Sequence, residues 1–278
     1  ENIPPRHTVL RPFRSTEGKD DDGAFTGMGI NMKIDILSLF PDFIESFFNQ
    51  SIIKRAIESG YVEMEVTDPR TFSKNKHRHV DDTIYGGGAG MLMQCEPLFD
   101  AVASVLPTKT EKDRVIFLSP AGQPFTQDKA KQLHRDYNHL VLICGHYEGV
   151  DHRVEKYLAD ELISIGDYVL TGGEVGAMVI ADAVSRMIPG VLGDSSSATT
   201  DSFYEPILEY PQYTRPKDYK GMVVPDVLTS GHHKNIETYR KKESLRRTLT
   251  RRPDLLENYE LSKEEAKLLD EIKKELKN

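Results

Sequence analysis

The chain has 278 residues, 38% of them hydrophobic, and a formal net charge of -8. That length can bury a large core in one or two domains, while no apolar run approaches the ~18 residues of a membrane-spanning helix. The charge argues weakly against a nucleic-acid partner, although binding depends on local patches rather than the total. Cys95 and Cys144 lack metal-ligand spacing, no signal-peptide pattern precedes the first core segment, and Cys144 sits in an apolar run as a buried thiol. A soluble protein of a reducing cytoplasm is expected.

Residues 1–31 have poor apolar periodicity and are rich in Gly and Asp. Met32 is the expected native start, and the stretch before it reads as a leader or disordered extension. Met32 to Phe40 begins a strand. Pro41-Asp42 opens a helix carrying Phe43, Ile44, Phe47, Phe48 and Ile52 at helical spacing, closed by Gly60. Val62 to Val66 alternates as a strand. Arg114 to Ser119 is a buried strand ending at Pro120-Ala121-Gly122, and Thr126 to Tyr137 is a helix with Thr126 as N-cap. Leu140 to Cys144 is a buried strand running into Gly145-His146-Tyr147-Glu148-Gly149. Leu162 to Ile165 repeats the design, running into Gly166 to Glu174. Val175 to Met187 is helical and stops at Pro189-Gly190. Alternating strands and helices predict an α/β fold with a mostly parallel sheet. Small polar residues from Gly193 to Ser202 read as a linker. Beyond Phe203 the chain reads as basic and helix-rich, with amphipathic helices over Glu237 to Arg247 and Ser262 to Leu276.

Open α/β sheets bind ligands beyond the carboxyl ends of their strands. Two glycine loops on neighbouring strands would therefore build one pocket rich in backbone donors and acceptors. A third glycine-rich segment, Tyr85 to Met91, lacks the Gly-Lys-Ser/Thr ending of a phosphate-binding P-loop. It is either a flexible turn or a backbone-lined nucleotide contact. Lys74 to His79 and the cations between Lys234 and Arg252 are either solvated surface or phosphate contacts. Asp182 and Arg186 are spaced as an i, i+4 ion pair, with a site role for Arg186 as the alternative. Asp201 alone reads as a solvated loop acid.

Taken together the motifs carry a resemblance. Tyr85 to Met91, Leu118-Ser119-Pro120, Gly145 to Asp151, Ser164 to Glu174, Ile188 to Gly193, Tyr213 to Pro216 and Pro225 to His233 are similar to segments of the bacterial tRNA (guanine-N1)-methyltransferases. These belong to the SPOUT superfamily of knotted methyltransferases, and the resemblance covers everything but residues 1–31. His146 stands where relatives often have Arg, and Tyr239 where many have Trp.

The resemblance implies a deep trefoil knot between about residues 115 and 175. It implies an S-adenosylmethionine-binding and dimerisation domain over 32–191, a flexible linker over 192–203 and a helical tRNA-binding domain over 204–278. The implied activity is methyl transfer to N1 of the guanosine immediately 3′ of the anticodon, in a homodimer, with magnesium as a further requirement whose site no carboxylate cluster reveals. The implied cofactor residues are Leu118, Pro120, Gly122, Gly145, Tyr147, Glu148, Ile165, Gly166, Tyr168, Leu170, Gly172 and Gly173. Asp201 is the implied general base and Arg186 the implied cation at the substrate's O6. Gly86, Gly87, Gly88, Ser202 and Arg215 are the implied substrate contacts. Two rivals remain: a nucleotide hydrolase or transferase using the glycine loops for phosphate, and a non-catalytic RNA-binding module.

Overall fold

The computed structural model describes residues 32–193, 201–257 and 259–277. The expectations for residues 1–31 and for most of the linker fall outside them. The chain divides into two compact units, Glu1–Gly193 and Asp194–Asn278. Among the described residues, no helix is long and apolar enough to cross a membrane.

The strands of the first unit are β1 (Met32–Leu37), β2 (Val62–Thr67), β3 (Asp81–Thr83), β4 (Met91–Met93), β5 (Asp113–Pro124), β6 (His139–Ile143) and β7 (Glu161–Ser164). Its helices are α1 (Pro41–Phe48), α2 (Ser51–Glu58), α3 (Cys95–Val105), α4 (Gln127–Asp136), α5 (His152–Tyr157) and α6 (Glu174–Ser185). Five strands form one parallel sheet in the order β2-β1-β6-β5-β7. Helices cover both faces of such a sheet, so its strands are apolar throughout rather than alternating. Leu140, Val141, Leu142 and Ile143 of β6 are accordingly all fully buried.

Successive side chains point to opposite faces, and two cores result. Ile34, Ile36, Ile116, Leu140 and Leu142 pack with α1, α2, α4 and α6. Leu37, Val115, Phe117, Val141 and Ile143 pack with residues of α3 and α5. Leu37 lies beside Ile143, and Ile143 beside Phe117, so β1 and β6 end level with the point where β5 enters its irregular stretch.

Two expectations need correction. The helix from Pro41 to Gly60 is two helices, broken at Asn49-Gln50. Buried Ile44 and Phe48 keep helical spacing, but the next buried residues are Ile53, Ala56 and Ile57, out of phase with them. The break, with Ser51 at φ 45°, resets the stripe toward the core. Second, β5 does not end at Pro120-Ala121-Gly122 but resumes pairing after it. Leu118 and Gln123 both stand opposite Ile163, so Ser119 to Gly122 is an excursion within one strand. The helix α3, the short helix α5 and the β3–β4 hairpin that carries the glycine-rich segment are elements beyond those expected from periodicity. The N-cap expectation holds: Lys129 N donates to Thr126 Oγ1 at 3.2 Å.

Among its described residues the second unit holds a small hairpin, β8 (Asp218–Tyr219) with β9 (Met222–Val223), and two α-helices, α7 (His233–Arg251) and α8 (Lys263–Glu275). Leu245, Leu268 and Ile272 form its core. The expectation of a basic second half needs qualification: residues 201–278 carry sixteen Lys and Arg against fifteen Asp and Glu. Much of the cationic run is engaged in ion pairs. Lys241 reaches Glu205 and Glu265, Lys242 reaches Glu271 and Glu275, Arg246 reaches Glu243 and Glu275, and Arg252 reaches Asp254.

Ser262 and Glu265 cap α8 reciprocally. Burial alone would raise the Glu265 carboxyl. Hydrogen bonds from Ser262 N (2.8 Å) and Tyr259 Oη (2.7 Å), with Lys241 Nζ at 3.1 Å, outweigh it and hold the carboxyl down at about 2. A depressed carboxyl stabilises the fold above its ordinary value, here 4.5, and that contribution is lost as pH falls from there toward 2. Amide protection in α8 should therefore decline across this window on acidification, and Glu265→Gln should flatten the decline. The same acid sensitivity in the Gln variant would contradict the assignment.

Candidate active site

The site is built where β6 and β7 end and where β5 makes its excursion. β6, β5 and β7 are neighbours, and each delivers an irregular segment to the same place. A cavity of about 370 Å³ lies among these segments, within the range of small-molecule sites.

The first segment is the β5 excursion. Ala121 N donates to Ser119 Oγ at 3.2 Å, tightening the turn. A Cβ on Gly122 would stand 2.4 Å from Ile163 N, so only glycine lets this loop press against the β7 backbone. The second segment follows β6. Tyr147 has φ 59°, and Gly149 N donates to His146 O at 3.2 Å. The third follows β7. Gly166 N donates to Ser164 Oγ at 3.2 Å, and Tyr168 Oη to Ile165 O at 3.1 Å. Second and third segments are joined where Gly173 N donates to Gly145 O at 2.9 Å. A Cβ on Gly173 would meet Cys144 Cα at 2.7 Å.

Of the residues that the resemblance names for the cofactor, Leu118, Pro120, Gly145, Tyr147, Glu148, Ile165, Gly166, Tyr168, Leu170, Gly172 and Gly173 line this cavity. Gly122 does not line it; its place is the contact with β7. The sequence singled out neither Phe117, Val150, Thr171 nor Gly176, which also line it. Nor did it single out Glu155, which reaches the cavity from α5 without any motif to announce it.

The lining is backbone-rich with an apolar rim. Tyr147, Tyr168, Val169 and Leu170 are all exposed large apolar side chains. The His146 Nδ1 atom is buried and has no hydrogen-bond partner among the described residues. A Cβ on Gly172 would come within 2.9 Å of it and 2.3 Å of Glu174 Oε2. Glu174 itself is buried in the first turn of α6 and accepts from Ser38 Oγ at 2.8 Å. Burial, and then the Glu174 charge, pushes the Cys144 thiol well up, so it stays protonated and inert.

The glycine-rich segment adjoins the second loop. Glu148 N donates to Met91 O at 3.1 Å, Met93 N to Gly149 O at 2.9 Å, and Asp151 N to Met93 O at 2.9 Å. A Cβ on Gly90 would meet Glu148 Cγ at 2.4 Å. Gly86, Gly87 and Gly88 sit at the hairpin tip, all at positive φ, beside a fully exposed Tyr85.

The remaining candidates lie elsewhere. Arg186 caps the carboxyl end of α6, and its N–H donates to Asp182 O at 3.1 Å. Burial raises the Asp182 carboxyl, and the Arg186 charge partly offsets that. Asp201, Ser202 and Arg215 belong to the second unit. Asp201 is half-buried in a turn rather than in open chain. Its carbonyl accepts from Tyr204 N at 3.2 Å, Ser202 Oγ accepts from Glu209 N at 2.8 Å, and Phe203 N donates to Ile207 O at 3.1 Å. Buried Ile207 anchors this turn. Asp201 also lines a cavity of about 350 Å³ within its own unit.

The family model described as tRNA (Guanine-1)-methyltransferase TrmD matches residues 32–258. A tRNA (guanine-N(1)-)-methyltransferase of Halalkalibacterium halodurans is 56% identical over 244 residues, covering 88% of this chain and 99% of the relative. Proteins of the same name from Bacillus cereus and Bacillus anthracis are each 54% identical over 242 residues, covering 87% of this chain and 99% of the relative. On these matches the chain belongs to the tRNA (guanine-1)-methyltransferase family.

Proposed function

We propose that the chain transfers a methyl group from S-adenosylmethionine to N1 of the tRNA guanosine immediately 3′ of the anticodon. The observation that carries this is the cavity itself, formed by three glycine-bearing segments on adjacent strands in a chain of this family. Close backbone approach, an apolar rim and an orphaned His146 nitrogen suit a nucleoside with an amino-acid tail. The residues present fit the cofactor, whose sulfonium supplies an electrophilic methyl and leaves as a neutral thioether.

Neutral guanine N1 carries a proton and is a poor nucleophile. The Asp201 carboxylate takes that proton as general base while negative charge develops toward O6. Arg186 stabilises that charge. Ser202, Arg215 and the Gly86–Gly88 tip contact the RNA. Among the described residues, no three His, Cys, Asp or Glu side chains come together as a metal cage, and no step here runs through magnesium.

The working unit is a homodimer with a shared site. Arg186 stands at the far end of α6 from the cavity-lining Gly173, and twelve helical residues span about 18 Å. One subunit's Arg186 therefore does not face its own cavity, which suits donation to a partner's. The same helix exposes Val175 and Val179, one turn apart, while α1, which packs on α6, exposes Phe43. The segments from about 115 to 175 form the trefoil knot, a reading supported by the close seating of Gly122 on β7 and of Gly173 on Cys144.

Incubation with labelled S-adenosylmethionine and unmodified tRNA, followed by mapping of the product, tests this function. Label on N1 of that guanosine is the expected result. Affinity for nucleoside triphosphates without methyl transfer would favour a phosphate-using enzyme, and tRNA binding without transfer would favour a binding module.

A further inference from the structure

The charge of the cavity in the first unit is one-sided. Its lining carries two carboxylates, Glu148 and Glu155, and no Lys or Arg. A third carboxylate, buried Glu174, stands behind Gly172. The cations nearest to Glu155 in sequence are engaged elsewhere. Arg153 donates from Nε and Nη2 to Asp151 at 2.9 and 2.6 Å, and Lys156 Nζ lies 5.0 Å from the centroid of the Tyr157 ring.

The two lining carboxylates are not equivalent. The Glu148 carboxyl group lies against Gly90, where an added Cβ would meet its Oε1 at 2.7 Å, so it faces the glycine-rich hairpin. Glu155 stands in the first turn of α5, a helix anchored by Val154 in the core shared with α3. Its side chain is 36% exposed, and its ion-pair partner among the described residues is His152 Nδ1 at 3.7 Å. That separation exceeds a hydrogen bond, so the imidazole does not tie up the carboxylate oxygens.

A carboxylate in this lining matters for a ligand whose charge changes during the reaction. S-Adenosylmethionine carries a sulfonium, an ammonium and a carboxylate, and is a net cation. S-Adenosylhomocysteine, left after methyl transfer, has lost the sulfonium charge and is net neutral. A nearby carboxylate attracts the first more than the second. We propose that Glu155 sets a preference of the cavity for the cationic cofactor over its neutral spent form, so that spent cofactor gives way to fresh. The inference rests on the reading that this cavity holds S-adenosylmethionine. It adds a specificity-determining residue from outside the three glycine-bearing segments.

Calorimetry on the full chain with three ligands separates charge from shape. These are S-adenosylmethionine, S-adenosylhomocysteine and sinefungin, an analogue with an amine in place of the sulfonium. Glu155→Gln should weaken the two cationic ligands by roughly 2- to 5-fold, the range of a partly exposed ion pair. It should leave S-adenosylhomocysteine near its wild-type affinity, which also shows that the cavity is intact. Glu155→Lys should lower the ratio of cationic to neutral affinity further. Asp128→Asn removes a carboxylate that is 87% exposed on α4 and outside the lining, and should leave the ratio unchanged. Equal losses for all three ligands, or an unchanged ratio in both Glu155 variants, would overturn the inference. So would an equal shift from Asp128→Asn, which would place the preference in the net charge of -8 rather than in Glu155. A wild-type chain that binds none of the three ligands would sink the cofactor reading itself.

Discussion

Asp201→Asn should lower the single-turnover methyl-transfer rate by roughly 10²–10⁴-fold, the usual contribution of a positioned base. Asn keeps the size of the side chain and removes its basicity. The turn that holds residue 201 depends on the backbone of Asp201, the Ser202 hydroxyl and buried Ile207, none of which changes. Cofactor and tRNA affinities should therefore stay near wild type, since neither ground state needs a deprotonated N1. A near-normal rate under saturating cofactor and tRNA would mean that another group or solvent takes the proton.

Gly172→Val should weaken S-adenosylmethionine binding by roughly 5- to 150-fold, the range expected of overpacking by 1–3 kcal/mol. The first added carbon alone would overlap Glu174 Oε2 at 2.3 Å and crowd His146 Nδ1 at 2.9 Å. Glu174 is tethered by Ser38 and cannot swing away without breaking a buried hydrogen bond. His146 and the Gly145 carbonyl would move instead, and both belong to the wall of the cavity. Calorimetry showing wild-type affinity would remove Gly172 from the cofactor site.

Much of this site was legible because its signals are local. A strand that is buried on both faces reads as a continuous apolar run, and a glycine loop at its end marks where a ligand can approach backbone. That is why Leu140 to Gly149 and Leu162 to Gly173 point to the cavity without any structure. What was illegible depends on long-range register. Gly122 looks like a strand terminator, and only the pairing of both Leu118 and Gln123 with Ile163 shows that it lets a strand resume against its neighbour. The break at Asn49-Gln50 is a phase slip that helical spacing tolerates until the core is known. Asp201 looked like linker because its neighbours are small and polar. Its anchoring comes from Glu209 and Ile207, whose pairing no periodicity encodes. The second unit's cations looked like one basic face, yet much of that run is spent on carboxylates brought up by α8 and by residue 205.

In the shared site that we propose, the cavity of one subunit works with Asp201 of the other, and mixed dimers test this most directly. A subunit carrying Asp201→Asn has a sound cavity and no base; one carrying Gly172→Val has a base and a spoiled cavity. With S-adenosylmethionine held near the wild-type dissociation constant, too dilute to fill the Gly172→Val cavity, neither homodimer should approach the wild-type rate. Verified heterodimers of the two should regain about half the wild-type rate, because one of the two composite sites then joins a sound cavity to an intact Asp201. Heterodimers no more active than the parent homodimers would contradict the account and place cavity and base in the same subunit.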